Sequence, residues 1–103
     1  MEISTGGGAS HITLKPFVPY GSERFSITCV ISRDDGVLHV SFTLSGPLHY
    51  LRIPPPAEQP ERRDNLWKET CFEVFFSESD SEAYREVNLA PSGHWDIFRF
   101  DSY

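Results

Sequence analysis

The sequence predicts an all-β protein of about six strands, and three observations support this prediction. Apolar and polar residues alternate with a period of two in several runs, whereas no segment shows the period of a helix. Turn-forming residues separate these runs, as at Arg33–Gly36 and Pro91–Gly93. Eight Phe, four Tyr and two Trp among 103 residues provide large apolar side chains. A chain of this length is expected to form one small domain.

The N-terminal part of the chain predicts a tail followed by an edge strand. Residues 1–10 are rich in Gly and Ser, which favours a flexible N-terminus. The single β domain is therefore expected to span residues 11–103. The run His11–Tyr20 contains apolar residues but is interrupted by two prolines. Because proline cannot donate to a central ladder, this run suits an edge strand or an extended arm.

The clearest structural signal is a hairpin in the first half of the chain. Arg24–Ser32 and Val37–Ser45 both alternate apolar with smaller or polar residues. The Asp-Gly pair between them is typical of a two-residue turn. These runs predict a half-buried antiparallel hairpin.

A proline-rich segment interrupts the pattern after this hairpin. Gly46–Asp64 contains five prolines and several charges, so it is neither helix interior nor central strand. Within it, Leu48–Ile53 is the one run that predicts a short strand. Connections of this length are usually functional or disordered.

Three further strands are predicted in the last third of the chain, over Glu69–Phe76, Tyr84–Leu89 and His94–Asp101. Strand alternation places Glu73 on one side of the first of these runs, and Glu86 with Asn88 on one side of the second. The resulting hairpin is expected to carry carboxylates and an amide on one face and apolar side chains on the other.

Charge and composition exclude several classes of function. The formal net charge is −6 and the isoelectric point is about 5.0. Because phosphate-backbone affinity comes from clustered Lys and Arg, nucleic acid and anionic membranes are not expected partners. The sequence has no apolar run long enough to span a bilayer and no signal-peptide pattern, which predicts a cytoplasmic protein. Reduced, buried thiols are then expected at Cys29 and Cys71.

Two linked motifs resemble a known family. They are Leu66–Phe76 (LWKETCFEVFF) and Glu86–Trp95 (EVNLAPSGHW), followed by FRFD at Phe98–Asp101. Together they resemble bacterial DOMON-like proteins, a group similar to the family 9 carbohydrate-binding modules. The resemblance covers about residues 11–103, and most of its specificity lies in residues 66–101.

The resemblance implies an antiparallel β-sandwich in which a polar sheet face holds a sugar. Tryptophans clamp a terminal sugar in family 9 modules, and Trp67 is the best match to a clamp residue. Glu73, Glu86 and Asn88 match the polar floor that binds sugar hydroxyls. Trp95 is a further ligand-binding candidate, with core packing as its alternative.

The resemblance also bears on cofactors and partners. Calcium ions serve structure in family 9 modules, so a structural calcium is left open here. Some DOMON relatives bind haem through Met and His, but Met1 is the only Met in this chain, so haem is not expected. The family domain continues for several strands beyond the equivalent of Tyr103, which predicts a partial domain without a second clamp tryptophan. A homodimer or strand-exchanged dimer would complete the sandwich, and an expressed fragment or a shortened gene model is the alternative.

The function expected from these observations is non-catalytic carbohydrate or polyol binding. A structural or oligomerisation domain without a small-molecule ligand is the alternative. The third hypothesis is a glycoside hydrolase, because Glu73 and Glu86 on neighbouring strands are a pair of carboxylates of the kind that such enzymes use. No other catalytic group is evident in the sequence.

Overall fold

The computed structural model describes residues 9–15, 24–77 and 79–102. Within them, six strands form two three-stranded sheets, and every strand pair is antiparallel. The first sheet belongs to a compact unit that ends at Leu48, and the second to a unit that begins at His49. The predicted all-β class is confirmed for the described residues.

The first sheet has the spatial order β1–β2–β3, with bounds Ala9–Thr13, Ser26–Asp34 and Val37–Ser45. Asp35 and Gly36 connect β2 to β3 with φ angles of 46° and 76°. Positive φ at both central residues is what a type I′ turn requires, so the predicted hairpin is confirmed. β1 begins at Ala9, two residues before the predicted boundary, and residues 16–20 of that run lie outside the described residues.

Two residues of β2 form the buried centre of the first sheet. Cys29 and Ile31 are 4% and 3% exposed. They lie two positions apart, so strand alternation puts both side chains on the same face. Cys29 is a free thiol whose pKa is raised by burial.

The second sheet has the spatial order β4–β5–β6, with bounds Phe72–Ser77, Tyr84–Leu89 and Trp95–Phe100. Its register sorts the side chains onto two faces. We define the polar–aromatic face by the residues Glu73, Phe75, Tyr84, Glu86, Asn88, Asp96, Phe98 and Phe100. The opposite face carries Phe72, Val74, Phe76, Arg85, Val87, Leu89, Trp95, Ile97 and Arg99.

This register corrects the expected division into a polar face and an apolar face. The carboxylates share their face with four aromatic residues, and two arginines lie among the apolar residues of the opposite face. The reason is that β6 alternates Asp96 with Phe98 and Phe100 on one face and Ile97 with Arg99 on the other. Neither face of this strand is uniform in polarity.

The proline-rich segment is ordered along the outer edge of β6. A parallel bridge joins Arg62 to Trp95, flanked by hydrogen bonds from Arg63 N to Trp95 O (2.9 Å) and from Trp95 N to Glu61 O (3.2 Å). Gly93, with φ of 97°, lets Pro60 approach, because an added Cβ would lie 2.9 Å from the proline Cγ. This edge contact fixes the position of Arg62.

The strand predicted over Leu48–Ile53 is wrong. Leu48–Tyr50 forms a short 3₁₀ turn instead, which begins beside a hydrogen bond from Leu48 N to Gly46 O (2.8 Å). Pro54 directly follows Ile53 and cannot donate a hydrogen bond to a strand ladder. A second 3₁₀ turn covers Leu66–Lys68. No helix in the described part of the chain has the length and apolar character of a membrane span.

Candidate functional site on the polar–aromatic face

Asn88 occupies the centre of the polar–aromatic face. Glu73 of β4 lies directly opposite it on one side, and Asp96 of β6 on the other. Cβ atoms of directly opposite residues are about 4.5–5.5 Å apart. The Asn88 side chain is buried, with 3% exposure. Its Oδ1 atom has no hydrogen-bond partner among the described residues.

An unpartnered buried acceptor is unusual in a native fold. More than about nine in ten buried polar groups are hydrogen-bonded. Leaving one unpaired costs about 1–3 kcal/mol in folding free energy. The Asn88 oxygen is therefore the strongest sign on this face that a donor from outside the chain belongs here.

Asp96 is also buried, at 2% exposure, but its charge is compensated. Its Oδ1 accepts from Arg62 Nε at 2.7 Å and from Ile97 N at 2.9 Å. Arg62 Nη2 also donates to Ile97 O at 2.8 Å. Because Asp96 binds the arginine that the edge segment positions, it serves as an anchor for that segment.

Glu73 and Glu86 have no such compensation. Neither carboxylate forms an ion pair with a described residue. Arg85 and Arg99 of the same sheet occupy register positions on the opposite face. Two uncompensated carboxylates therefore lie diagonally across β4 and β5: Glu73 is directly opposite Asn88, and Glu86 is two residues from Asn88 along β5.

The electrostatics of the face reflect this pair. Burial raises the pKa of Glu86, and the charge of Glu73 raises it further. Burial also raises the pKa of the Cys71 thiol, with further contributions from Glu73 and Glu86, while a backbone hydrogen bond at Leu89 opposes them. Glu73 and Glu86 consequently create one local region of negative potential, which favours the neutral form of the Cys71 thiol.

Aromatic rings flank Glu86 within the sheet. Phe75 and Phe98 lie directly opposite it on the two neighbouring strands, and they are 53% and 39% exposed. The rings of Tyr84 and Phe100 stack next to them at a centroid distance of 4.9 Å. Rings beside a polar group are what an amphipathic ligand such as a sugar requires.

The two tryptophans belong to different elements, a 3₁₀ turn and β6. Trp67 is 62% exposed in the Leu66–Lys68 turn, which contacts β5, and the Lys68 Nζ atom lies 5.7 Å from its ring centroid. Trp95 pairs with Leu89 on the opposite face, where Arg62 lies 5.9 Å from its ring. Trp95 is 40% exposed, so it is not a buried core residue.

The structure thus brings together three of the five predicted ligand-binding residues, namely Glu73, Glu86 and Asn88. Trp95 lies on the other side of the sheet. Sequence reasoning missed Asp96 and Phe98 as members of the same face. Alternation along β6 from Asp96 was the available signal, but it became useful only once the register with β5 was known.

A groove of about 570 Å³ lies elsewhere in the same unit, between the prolines at 54–56 and the turn at 90–94. None of the five predicted residues lines it. His94 beside it accepts a hydrogen bond from Glu61 N at its Nδ1 atom (3.1 Å), so the neutral ring carries its proton on Nε2. The groove lining mixes Arg63 and Lys68 with acidic residues, and it is distinct from the polar–aromatic face.

In the part of the chain that the structure describes, no group of three or more His, Cys, Asp or Glu side chains is arranged to hold a metal ion. Calcium therefore stays a prediction of the resemblance. No family model matches the chain, and comparisons with curated proteins and with solved structures also find no match.

Proposed function

We propose that this chain is a non-catalytic carbohydrate-binding module of the DOMON-like kind, which holds a sugar or polyol on the polar–aromatic face. The observation that carries the proposal is the unpartnered Asn88 Oδ1 atom beside two uncompensated carboxylates. Sugar hydroxyls are donors that satisfy such acceptors. The exposed rings next to them fit the apolar C–H face of a pyranose.

Each residue has a distinct role in this proposal. Asn88, Glu73 and Glu86 accept hydrogen bonds from the ligand, and Phe75 with Phe98 supplies the apolar contact. Trp67 is the stacking residue that the resemblance implies, and its exposed indole supports that role. Trp95 lies on the opposite face, so it is left out of the ligand contacts proposed here.

Calorimetric titration of the full chain against a panel of mono- and disaccharides tests this function. We expect saturable binding of at least one sugar. Trp67→Ala is expected to weaken it by about tenfold, since stacked aromatic contacts contribute roughly 1 kcal/mol or more. Trp95→Ala is the matched control and is expected to leave the affinity unchanged. A panel in which no sugar binds would contradict the proposal.

An oligomerisation domain is the second candidate, favoured by large apolar side chains at exposed positions. Val37 and Leu38 in β3 are 54% and 40% exposed, and Phe75 in β4 is 53% exposed. A homodimer or strand-exchanged dimer would cover such residues. Sedimentation velocity of the full chain distinguishes the two candidates. A dimer that binds no sugar, and whose self-association is weakened by Phe75→Ser, would favour this candidate.

A glycoside hydrolase is a third possibility that the same protein can test. Incubation with chromogenic glycosides should give no turnover if the module is non-catalytic. Turnover that disappears in Glu73→Gln or Glu86→Gln would replace the binding proposal with an enzymatic one.

A further inference from the structure

Acceptors outnumber donor groups at the candidate ligand site. Glu73 and Glu86 present carboxylates, and Asn88 has an unpartnered buried oxygen besides its amide N–H donors. Neutral sugars display donors and acceptors in similar number. The site therefore has an excess of hydrogen-bond acceptors that a neutral sugar does not match.

The nearby arginines do not neutralise the two carboxylates. Arg62 is committed to Asp96 and to the Ile97 carbonyl. Arg85 and Arg99 occupy the opposite face of the sheet. The two carboxylates consequently have no counter-ion among the described residues.

We propose that the ligand of the polar–aromatic face carries a protonated amine, with an amino sugar as its chemical class. This inference rests on the proposed carbohydrate function and specifies the ligand more closely. An ammonium group has three N–H donors and no acceptor, which matches one amide oxygen and two carboxylates. Bonds between such ionised partners are about twice as strong as neutral ones.

The aromatic rings support the same ligand class through a second contact. Phe75 and Phe98 flank Glu86 from β4 and β6, and both rings are accessible. A cation within about 6 Å of a ring centroid is attracted by the negative face of the ring. Glu86 and the two rings therefore attract a cation to the same part of the face.

The buried amide makes this more than an acidic cluster. Asn88 is 3% exposed, lies directly opposite Glu73, and has an Oδ1 atom that no described group satisfies. Carboxylates alone would be adequately solvated at a surface. A ligand N–H group would supply the donor that the Asn88 oxygen lacks.

The experiment compares glucosamine, N-acetylglucosamine and glucose in calorimetric titrations of the full chain, at a pH where the amine is protonated and the carboxylates are ionised. Glucosamine is expected to bind at least about tenfold tighter than glucose, a difference of about 1.4 kcal/mol. N-acetylglucosamine, which lacks the charge, should bind no more tightly than glucose. The advantage of glucosamine should shrink as the salt concentration rises.

Different failures have different meanings. Equal affinity for glucosamine and glucose would overturn the amine and leave sugar binding intact. Absence of binding by all three sugars would overturn this inference, and absence across the wider panel would overturn the proposed function as well. Binding of glucosamine alone would support the inference.

Charge removal at the site gives an independent test. Glu86→Gln keeps the shape of the side chain, and we expect glucosamine affinity to fall by about tenfold while glucose affinity changes by less than about threefold. Glu73→Gln should act in the same direction. Glu58→Gln, at an exposed loop position, is the control and should have no effect. Unchanged glucosamine affinity in both site variants, with unchanged thermal unfolding, would overturn the proposal.

Discussion

The two sheets have the same topology but bury different kinds of residue. Each has three antiparallel strands in sequential order. The first buries the apolar residues Cys29 and Ile31, whereas the second buries Asn88 and Asp96 together with Val74. Burial of apolar area stabilises a fold, while burial of polar groups costs free energy unless they are hydrogen-bonded.

The difference between the sheets indicates where function lies. Asp96 recovers its desolvation cost through Arg62 and the Ile97 amide, so its burial has a structural explanation. The desolvation cost of Asn88 Oδ1 is not offset by a hydrogen bond from any described residue. A group kept at a cost to stability suggests a role outside folding.

The largest effect is expected in the first sheet. Ile31→Ala should lower the free energy of unfolding by about 2–5 kcal/mol, because it removes a fully buried side chain and leaves a cavity. Chemical denaturation followed by circular dichroism measures this change. Val37→Ala, at a 54% exposed position of the same sheet, is the control and should change stability little. Equal effects of the two variants would contradict the claim that Ile31 belongs to the buried centre of the first sheet.

Asp96→Ala should have the next largest effect. The variant loses the bonds from Arg62 and the Ile97 amide, and we expect a loss of about 1–3 kcal/mol in unfolding free energy. The exposed pair between Arg63 and Glu61 offers a matched comparison. Because exposed pairs contribute about 0–1 kcal/mol, Glu61→Ala should cost less. Similar losses in the two variants would contradict the anchoring role of Asp96.

Asn88→Val should stabilise the protein, which is the opposite of the usual result at a buried position. It removes an unpartnered buried oxygen and introduces a residue that favours strands, for a gain of about 1 kcal/mol. Ser41→Val in β3 is the control for strand propensity alone, because Ser41 is exposed. If Asn88→Val destabilised the protein by more than 1 kcal/mol, Asn88 would have a structural role that this account omits.

The smallest expected effect is a pH dependence of stability that originates at Glu86. Its pKa in the folded protein is raised above the ordinary value of 4.5, by burial and by Glu73. The folded state therefore binds more protons than the unfolded state in the interval just above that value, and stability falls as the pH rises through it. The titratable groups on the same side of the sheet are Glu73 on β4, Cys71 just before that strand, Tyr84 on β5 and Asp96 on β6.

Thermal unfolding across this pH interval tests the assignment. Glu86→Gln cannot titrate, so its melting temperature should decline less than that of the parent protein as the pH rises. Glu58→Gln should follow the parent protein. Identical pH profiles for the parent protein and Glu86→Gln would assign the dependence to another group.

Local rules were sufficient for part of the fold. The Asp35-Gly36 turn fixed the β2–β3 hairpin, because only residues that tolerate positive φ suit that turn. Strand alternation placed Glu73 on one side of β4, and Glu86 with Asn88 on one side of β5. These inferences needed only neighbouring residues.

The features that sequence reasoning missed depend on contacts between distant segments. Arg62 and Asp96 are 34 positions apart, and nothing near either residue indicates the pairing. The same edge contact orders the later part of the proline-rich segment, to which sequence reasoning assigned no structure. The position of Phe98 beside Glu86 follows from the β5–β6 register, which the sequence pattern alone does not determine.

The most direct test of the binding face is backbone amide NMR of the full chain during titration with glucosamine. We predict concentration-dependent shifts at Glu73, Glu86, Asn88 and their strand neighbours, with no shifts along β2 and β3. Shifts confined to the first sheet or to the turn at 90–94, with β4 and β5 unaffected, would contradict the assignment of this face.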